Sequence, residues 1–272
     1  MRRTITLLVL AAASVVVGSA GAITGTAQPD FVHPYVGLVA FYDASGNRLY
    51  RCSGSMVSPS VLLTAGHCTD ASTGAVTAKV WLDQGADGYP AAGGLAAHTL
   101  LDYGFTGFTK AAQSHDAGLV VLDRPVSLSA YGALAASGSL DRLATQRGQQ
   151  AITFTASGYG LSSLSPVSLV DPRQRLMATE QLINLRSTLT DGVNVETTAS
   201  PGDGRGGTCS GDSGGPLLYD SSDTIVAVDS FGLNGNCRGT DFMYRVDREP
   251  VLDWILAHAP ASERALIHVV SL

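Results

Sequence analysis

A histidine, an aspartate and a serine follow one another along the chain, each in a segment that suits it to chemistry. His67 lies in Thr64–Cys68, and Asp116 directly precedes an apolar run. Ser213 lies between glycines in Gly211–Pro216. A serine hydroxyl is a weak nucleophile, and it becomes effective when a histidine takes its proton and a carboxylate orients that histidine. The three residues therefore predict acyl transfer, with Ser213 as nucleophile, His67 as general base and Asp116 as orienting group.

The Gly-x-Ser-x-Gly pattern around Ser213 also fits the nucleophile elbow of α/β-hydrolases, which would make the chain a secreted esterase. In that fold a helix follows the nucleophile, and the acid and the histidine come later in the chain. Here Pro216–Tyr219 has the character of a strand, and the later histidines, His258 and His268, lie in a terminal helix and tail. The order of the residues therefore disfavours the esterase.

The first residues have the three-part layout of a secretory signal peptide. Arg2 and Arg3 precede an apolar run from Ile5 to Val17, and small residues continue through Ala22. The apolar run is too short to span a bilayer comfortably. We therefore expect a signal peptide over residues 1–22, a secreted extracellular protein without membrane attachment after processing, and, from the style of the leader, a bacterial source.

The charge of the chain narrows the choice of partners. The 272 residues include 17 Lys and Arg against 23 Asp and Glu, for a net charge of −6, and loss of the two leader arginines makes the charge more negative. Nucleic-acid binding depends on clustered basic residues, so we expect no such partner. We expect a protein or peptide substrate, a protein inhibitor as a further partner, a monomer, and neither a metal nor another cofactor.

Short apolar runs bounded by Gly, Asp and Pro predict strands through most of the chain. These runs are Tyr35–Tyr42, Cys52–Leu63, Ala78–Leu82, Gly118–Leu122, Ala151–Ala156, Gln181–Leu185, Pro216–Tyr219 and Thr224–Phe231. They do not alternate with long helical patterns, so we expect an antiparallel all-β barrel or sandwich. Helical spacing predicts one helix over Glu249–His258. We interpret Ser129–Gly148 as the crossing between two halves and Ala265–Val270 as an extra strand or a tail.

Three segments, Leu62–Cys68, Asp116–Leu122 and Cys209–Pro216, resemble the signature segments of chymotrypsin-like and trypsin-like serine proteases. The resemblance extends from about Ile23 to about Ala257. It implies two six-stranded antiparallel Greek-key β-barrels, a C-terminal helix and an active site in the cleft between the barrels. The expected division is an N-terminal barrel at 23–130 with His67 and Asp116, a C-terminal barrel and helix at 131–258 with Ser213, and a tail at 259–272.

The resemblance also assigns backbone groups and disulfides. The N–H groups of Gly211 and Ser213 would form an oxyanion hole, which requires glycine at 211 because the turn demands an unusual backbone. From the residues alone, four cysteines in an exported chain predict two disulfides with three pairings open. The resemblance implies the pairs Cys52–Cys68 and Cys209–Cys237.

Activation in this family often uses a new N-terminal amine that pairs with the aspartate before the nucleophile. Ile23–Thr26 resembles such an N-terminus, and Ala20–Ala22 before it satisfies the small-x-small rule of signal peptidase. We expect signal removal itself to free Ile23, whose ammonium would pair with Asp212. The alternative is cleavage elsewhere, for instance after Ala20 or Ala27.

The resemblance places a primary specificity pocket among six residues. They are Gly207, Thr208, Ser230, Phe231, Gly232 and Asp241. Trypsin-type relatives have an aspartate at the position of Gly207, and Phe231 departs from the family tryptophan. Gly232 leaves the pocket open to a large side chain. We expect apolar or aromatic selection, with basic selection through Asp241 as the alternative.

Two functional classes stay open beside the endopeptidase. A catalytically silent binding module with the protease fold is the first, although such proteins usually lose a triad residue or the oxyanion glycine, and this chain retains them. The secreted esterase is the second. The preferred function is a secreted serine endopeptidase that works through an acyl-enzyme.

Overall fold

The computed structural model describes residues 23–145, 151–165, 168–200 and 204–272. The predicted signal peptide, residues 1–22, lies outside the described residues. The strands are β1 Thr24–Gly25, β2 Gln28–Pro29, β3 Val36–Tyr42, β4 Arg48–Met56, β5 Val61–Thr64, β6 Thr77–Trp81, β7 Leu95–Ala97, β8 Thr99–Asp102, β9 Gly118–Val121, β10 Ala133–Ala135, β11 Thr153–Gly158, β12 Ser163–Ser165, β13 Ser168–Val170, β14 Leu176–Asn184, β15 Asn194–Thr198, β16 Gly206–Gly207, β17 Pro216–Tyr219, β18 Thr224–Gly232, β19 Thr240–Arg245 and β20 Val269–Val270.

The α-helices are α1 Gly66–Thr69 and α2 Glu249–His258, and short 3₁₀ helices occupy Ala71–Thr73, Ala111–Gln113, Asp141–Thr145 and Arg264–Leu266. Helix α2 has the predicted bounds. It has a proline in its first turn, and it buries Val251, Leu252 and Ile255 on one face. In the described ranges, no helix is long and apolar enough to cross a membrane.

The first barrel is a ring of six strands if β7 and β8, which are separated only by His98, are counted as one. Its hydrogen-bonded order is β7-β6-β3-β4-β5-β9-β8, and β7 and β8 are consecutive parts of the chain on either side of His98. The chain therefore passes from one edge of the sheet to the other at His98, which closes the ring. Leu38, Phe41, Trp81 and Val120 belong to the buried cluster of this half.

The second barrel is also a ring of six strands. They follow the order β17-β11-β14-β15-β19-β18, and a further pairing between β17 and β18 closes the ring. β10 and β20 extend the sheet beyond β18 in parallel, and β2 pairs with one end of β14. The prediction of an all-β protein with two six-stranded antiparallel barrels and a C-terminal helix is confirmed.

Two strand predictions differ from the structure. The single run predicted at Cys52–Leu63 is two strands, β4 and β5, joined by a turn. The turn contains Ser58-Pro59-Ser60, residue types that favour turns over ladder pairing. The strand predicted at Gln181–Leu185 begins earlier, at Leu176, because its first half pairs with β11.

Both ends of the described chain are attached to the barrels. β1 pairs with β16, directly before the Ser213 loop. At the other end, β20 pairs with β10, and the Glu263 carboxylate accepts hydrogen bonds from Ser58 Oγ, Ser60 N and Ser60 Oγ at 2.7–2.8 Å. The segment predicted as an extra strand or a tail, Ala265–Val270, therefore ends in a short strand, and Glu263 just before it binds the first barrel.

Candidate active site

His67 and Asp116 lie side by side at one end of the first barrel. His67 follows β5 in the short helix α1, and Asp116 lies just before β9, which pairs with β5. The Nδ1 atom of His67 is 3.0 Å from Asp116 Oδ2, and the His67 backbone N–H donates to Asp116 Oδ1 at 2.7 Å. Asp116 is fully buried. Strand pairing therefore brings together two residues that are far apart in sequence and orients the imidazole through both its ring and its backbone.

The environment of His67 favours its protonated form. Burial of the ring acts to lower the pKa of His67, whereas the charge of Asp116 and its hydrogen bond act to raise it, and the net result is a raised pKa. A carboxylate that stabilises the imidazolium is what a general base needs while it holds a proton.

A serine of the second barrel also binds Asp116. Ser230, near the end of β18, donates its hydroxyl to Asp116 Oδ2. Sequence analysis placed Ser230 in the wall of the specificity pocket, and it does line that pocket. Its contact with Asp116 was not anticipated, because nothing in the local sequence indicates a partner more than a hundred residues away.

The loop of Ser213 is held against the first barrel by Ser53 on β4. Ser53 N donates to the Ser213 carbonyl at 2.8 Å, and Ser53 Oγ donates to the Gly211 carbonyl at 2.9 Å. Gly211 has a φ of 100°, a conformation that favours glycine. Within the described ranges, the backbone N–H groups of Gly211 and Ser213 donate to no protein acceptor. Two backbone donors, one on each side of Asp212, thus have no partner among the described residues.

A cavity of about 380 Å³ opens beside Ser213. Its lining includes five of the six residues assigned to the specificity pocket, namely Thr208, Ser230, Phe231, Gly232 and Asp241. The sixth, Gly207, lies against Asp241, because a Cβ added to Gly207 would lie 2.8 Å from Asp241 Oδ2. The structure therefore brings all six together and places a buried carboxyl group beside the position where trypsin-type relatives carry one.

Three further buried acids surround Asp241. Asp229 also lines the cavity, where its carboxyl group accepts from Thr208 Oγ1 at 2.8 Å. Glu180 on β14 is fully buried behind it, and Asp212 precedes Ser213. Sequence analysis missed Glu180 and Asp229, although an acid within an apolar strand is a signal that could have identified each of them.

Aromatic rings cover His67 on the side of the cleft. The centroids of Phe105 and Phe108 lie 5.9 and 5.4 Å from that of His67. Phe108 also contacts Phe231, which stacks on Phe242 at 4.7 Å. These rings shield one side of the imidazole from water. The pattern Gly-Phe-Thr-Gly-Phe at 104–108 was the available signal for this wall.

The residues of the expected activation pair are both buried. Ile23 is 1% exposed, and Thr24 Oγ1 bonds the carbonyls of Gly207 and Cys237 at 3.2 Å. The Asp212 carboxylate accepts from the N–H groups of Gly160 and Cys209 at 2.7 and 3.0 Å. Burial raises the pKa of Asp212 to about 7 against these hydrogen bonds. In the described part of the chain, with Ile23 still in a peptide bond, no ion pair involves Asp212.

Both disulfides implied by the resemblance are present, Cys52–Cys68 and Cys209–Cys237. The first fastens the residue after His67 to β4. The second ties the segment before Ser213 to the loop after β18. Although Cys52, His67 and Cys68 lie close enough together to suggest a metal site, both sulfurs are in the disulfide and offer no thiolate.

Two closed β-barrels, with a histidine–aspartate pair from one and a serine loop from the other, define the class of chymotrypsin-like proteins. The family model described as Trypsin matches residues 22–255, and the chain belongs to the trypsin family. At the level of the family these proteins are serine endopeptidases that act on proteins or peptides, and some members are inactive.

Individual relatives agree with this assignment. Brachyurin from Leptuca pugilator is 31% identical over 217 residues, which cover 76% of this chain and 87% of brachyurin. HL collagenase has a TM-score of 0.63 at 20% identity, over 87% of this chain and 96% of its own. Human heparin binding protein has a TM-score of 0.62 at 19% identity, over 88% of this chain and 98% of its own. The two structures show the fold alone. Brachyurin is a crustacean protein, so it does not support the expected bacterial source.

Proposed function

We propose that this chain is a secreted serine endopeptidase that cleaves peptide bonds through an acyl-enzyme. The observation that carries the proposal is the bonded series Ser230–Asp116–His67 at the edge of a cavity that Ser213 also lines. A silent binding module would need neither a partly exposed histidine oriented by a buried carboxylate nor a serine loop with two free backbone donors.

The reaction follows from the roles of these groups. Ser213 Oγ bonds to the scissile carbonyl carbon while His67 takes the hydroxyl proton, and the N–H groups of Gly211 and Ser213 stabilise the oxyanion. The C–N bond then breaks as His67 gives its proton to the leaving amine. Water then bonds to the ester carbon while His67 takes one of its protons; the bond between that carbon and Ser213 Oγ breaks, and His67 returns the proton to Ser213 Oγ as the acid leaves. Asp116 stabilises the imidazolium in both halves of the reaction.

Activation by signal removal belongs to the same proposal. β1 already lies against β16, so Ile23 is buried beside the segment that leads to Ser213. The charge of Arg51 reaches Asp212, but no described residue forms an ion pair with it, and a free Ile23 ammonium would supply that partner. An α-amino group, whose ordinary pKa is about 8, is charged at neutral pH. Export and the mature start at Ile23 are tested together by N-terminal sequencing of the secreted protein.

Active-site labelling tests the proposal directly. Protein that begins at Ile23 is treated with a serine-directed phosphonate and assayed on a peptide library, with Ser213→Ala as the matched control. We expect covalent label on Ser213 and peptide cleavage, both absent from the control. Correctly processed protein that takes up no label would instead be a binding module, and label with ester but no peptide hydrolysis would indicate an esterase.

A further inference from the structure

Glu180 is a buried acid that the proposed mechanism does not use. It lies on β14 inside the second barrel and is fully buried. Its Oε2 atom accepts a hydrogen bond from Thr197 Oγ1. Its Oε1 atom has no hydrogen-bond partner among the described residues. A buried carboxylate with a bare oxygen is costly, and protonation removes much of that cost.

Asp241 supplies the partner that a protonated Glu180 needs. Thr197 lies directly opposite Asp241 in the pairing of β15 with β19, so the hydroxyl that binds Glu180 is beside Asp241. The charge of Asp241 acts on Glu180 and raises its pKa, so the two carboxyl groups lie within electrostatic reach of each other. Asp241 lines the cavity, and its Oδ2 atom accepts a hydrogen bond from Thr208 N at 2.6 Å. Asp241 is therefore bonded to the pocket wall through Thr208, and the unpartnered Oε1 atom of Glu180 lies in the same buried cluster of acids.

We propose that Glu180 and Asp241 share a proton beneath the specificity pocket and that Glu180 is a specificity-determining residue. Protonated Glu180 donates to ionised Asp241, which leaves one negative charge to bind a lysine or arginine side chain of the substrate. Uptake of a second proton by Asp241 makes the pair neutral and suits the pocket to apolar side chains. This inference rests on the proposed peptidase function and names its substrate class.

The groups that face the pair oppose a second negative charge there. Asp229 faces it from β18, and Asp212 faces it from the Ser213 loop. Arg238, a basic residue that also lines the cavity, is exposed on the loop after β18. Within the described ranges no ion pair involves Glu180, Asp229 or Asp241. A cation from the substrate would thus meet an uncompensated charge.

The directions of titration agree with this geometry. Burial, and then the charge of Asp241, raise the pKa of Glu180 well above its ordinary value, so Glu180 keeps its proton at neutral pH. Burial raises the pKa of Asp241 to about 6, against the lowering effect of Thr208 and Glu180. Because the pKa is raised, the pocket base is neutral below about pH 6 and negatively charged above it.

The first test compares two substrates across pH. The ratio of kcat/KM for a peptide with lysine at the cleaved position to kcat/KM for one with leucine should rise roughly tenfold or more as Asp241 ionises. Glu180→Leu removes the donor, so the rise should move to higher pH. Glu180→Gln keeps a donor and should leave the rise near its original pH. Because both substrates need the same triad, the ratio cancels changes in catalysis. An unchanged midpoint in Glu180→Leu overturns the proposal.

The second test does not depend on activity. In a Ser213→Ala background at neutral pH, the infrared spectrum should contain the C=O band of a protonated carboxyl group. The difference between this spectrum and that of the same protein with Glu180→Gln should show the loss of that band. The absence of that band means that Glu180 is ionised and overturns the shared proton. If the band is present but the unmodified protein hydrolyses no peptide, the proposed function fails while the shared proton stands.

Discussion

Ser230 donates its hydroxyl to Asp116, and this contact joins the second barrel to the catalytic carboxylate candidate of the first. Asp116 also accepts from the backbone and the ring of His67. A buried carboxylate with three protein donors is held in one position. The orientation of His67 therefore depends on residues from both barrels, and it is established only when the barrels are docked.

Replacement of Ser230 tests this dependence. Ser230→Ala removes one donor to a buried charge, a change of about 1.5–3 kcal/mol, so we expect kcat/KM to fall roughly tenfold to a hundredfold. The Asp116 charge, no longer shared with Ser230, should act more strongly on His67 and raise the His67 pKa further, which moves the acid limb of the pH profile to higher pH. Ser230→Thr, which keeps the hydroxyl, is the control. Equal pH profiles for all three proteins would show that the contact does not tune His67.

Neutralisation of Asp116 should affect His67 in the opposite direction. Although burial acts to lower the pKa of His67, the charge of Asp116 raises it overall, so we expect wild-type kcat/KM to rise with pH as His67 loses its proton above its ordinary range. Asp116→Asn should lower the His67 pKa, and it should lower kcat by about 10⁴-fold through loss of the correct tautomer. NMR titration of the imidazole in a Ser213→Ala background measures the pKa without turnover. A higher His67 pKa in Asp116→Asn would contradict the electrostatic argument.

The length of the chain before Ile23 should control reactivity. Protein that begins at Ile23 should react with a serine-directed phosphonate much faster than protein that retains residues before it. Pairing raises the pKa of the α-amino group above its ordinary value of about 8, so activity should persist at neutral pH and decline as the amine loses its proton. Acetylation of that amine is the control and should lower the labelling rate. Equal rates for all three forms would exclude the Ile23–Asp212 pair.

The C-terminal segment should stabilise the fold through Glu263. Glu263→Ala removes three hydrogen bonds to Ser58 and Ser60, and we expect a loss of about 2 kcal/mol in the free energy of unfolding. Urea unfolding measures this change. Ser262→Ala, at an exposed neighbouring position, is the matched control and should leave the free energy of unfolding unchanged. A loss of the same size in both variants would mean that the hydrogen bonds of Glu263 to Ser58 and Ser60 do not stabilise the fold.

Sequence reasoning succeeded where the signal was local. The apolar periodicity of Glu249–His258 predicted the helix. The segments around His67, Asp116 and Ser213 each contain a local motif that identified the candidate residue. β15 was not predicted, because asparagine, glutamate and threonine interrupt its apolar pattern. It forms a strand because it pairs with β19 along its whole length.

The candidate site shows the same division. The residues of the pocket could be assigned by resemblance, whereas the position of Glu180 behind Asp241 arises only when β14, β15 and β19 come together. The Phe108–Phe231 contact likewise depends on barrel docking. The sequence of one strand does not indicate which distant strand it will contact. For this reason neither the position of Glu180 near Asp241 nor the Phe108–Phe231 contact could be predicted from the sequence.

Each disulfide closes a loop within its own half, and neither ties one barrel to the other. The placement of His67 relative to Ser213 rests on noncovalent contacts across the cleft, such as those of Ser53 and Ser230. A buried apolar cluster drawn from both barrels, with Leu63 and Leu119 from the first and Leu218 and Ile225 from the second, joins the halves as well. We therefore expect the two halves to unfold together, and the proposed site to be lost in the same transition even while both cystines stay intact.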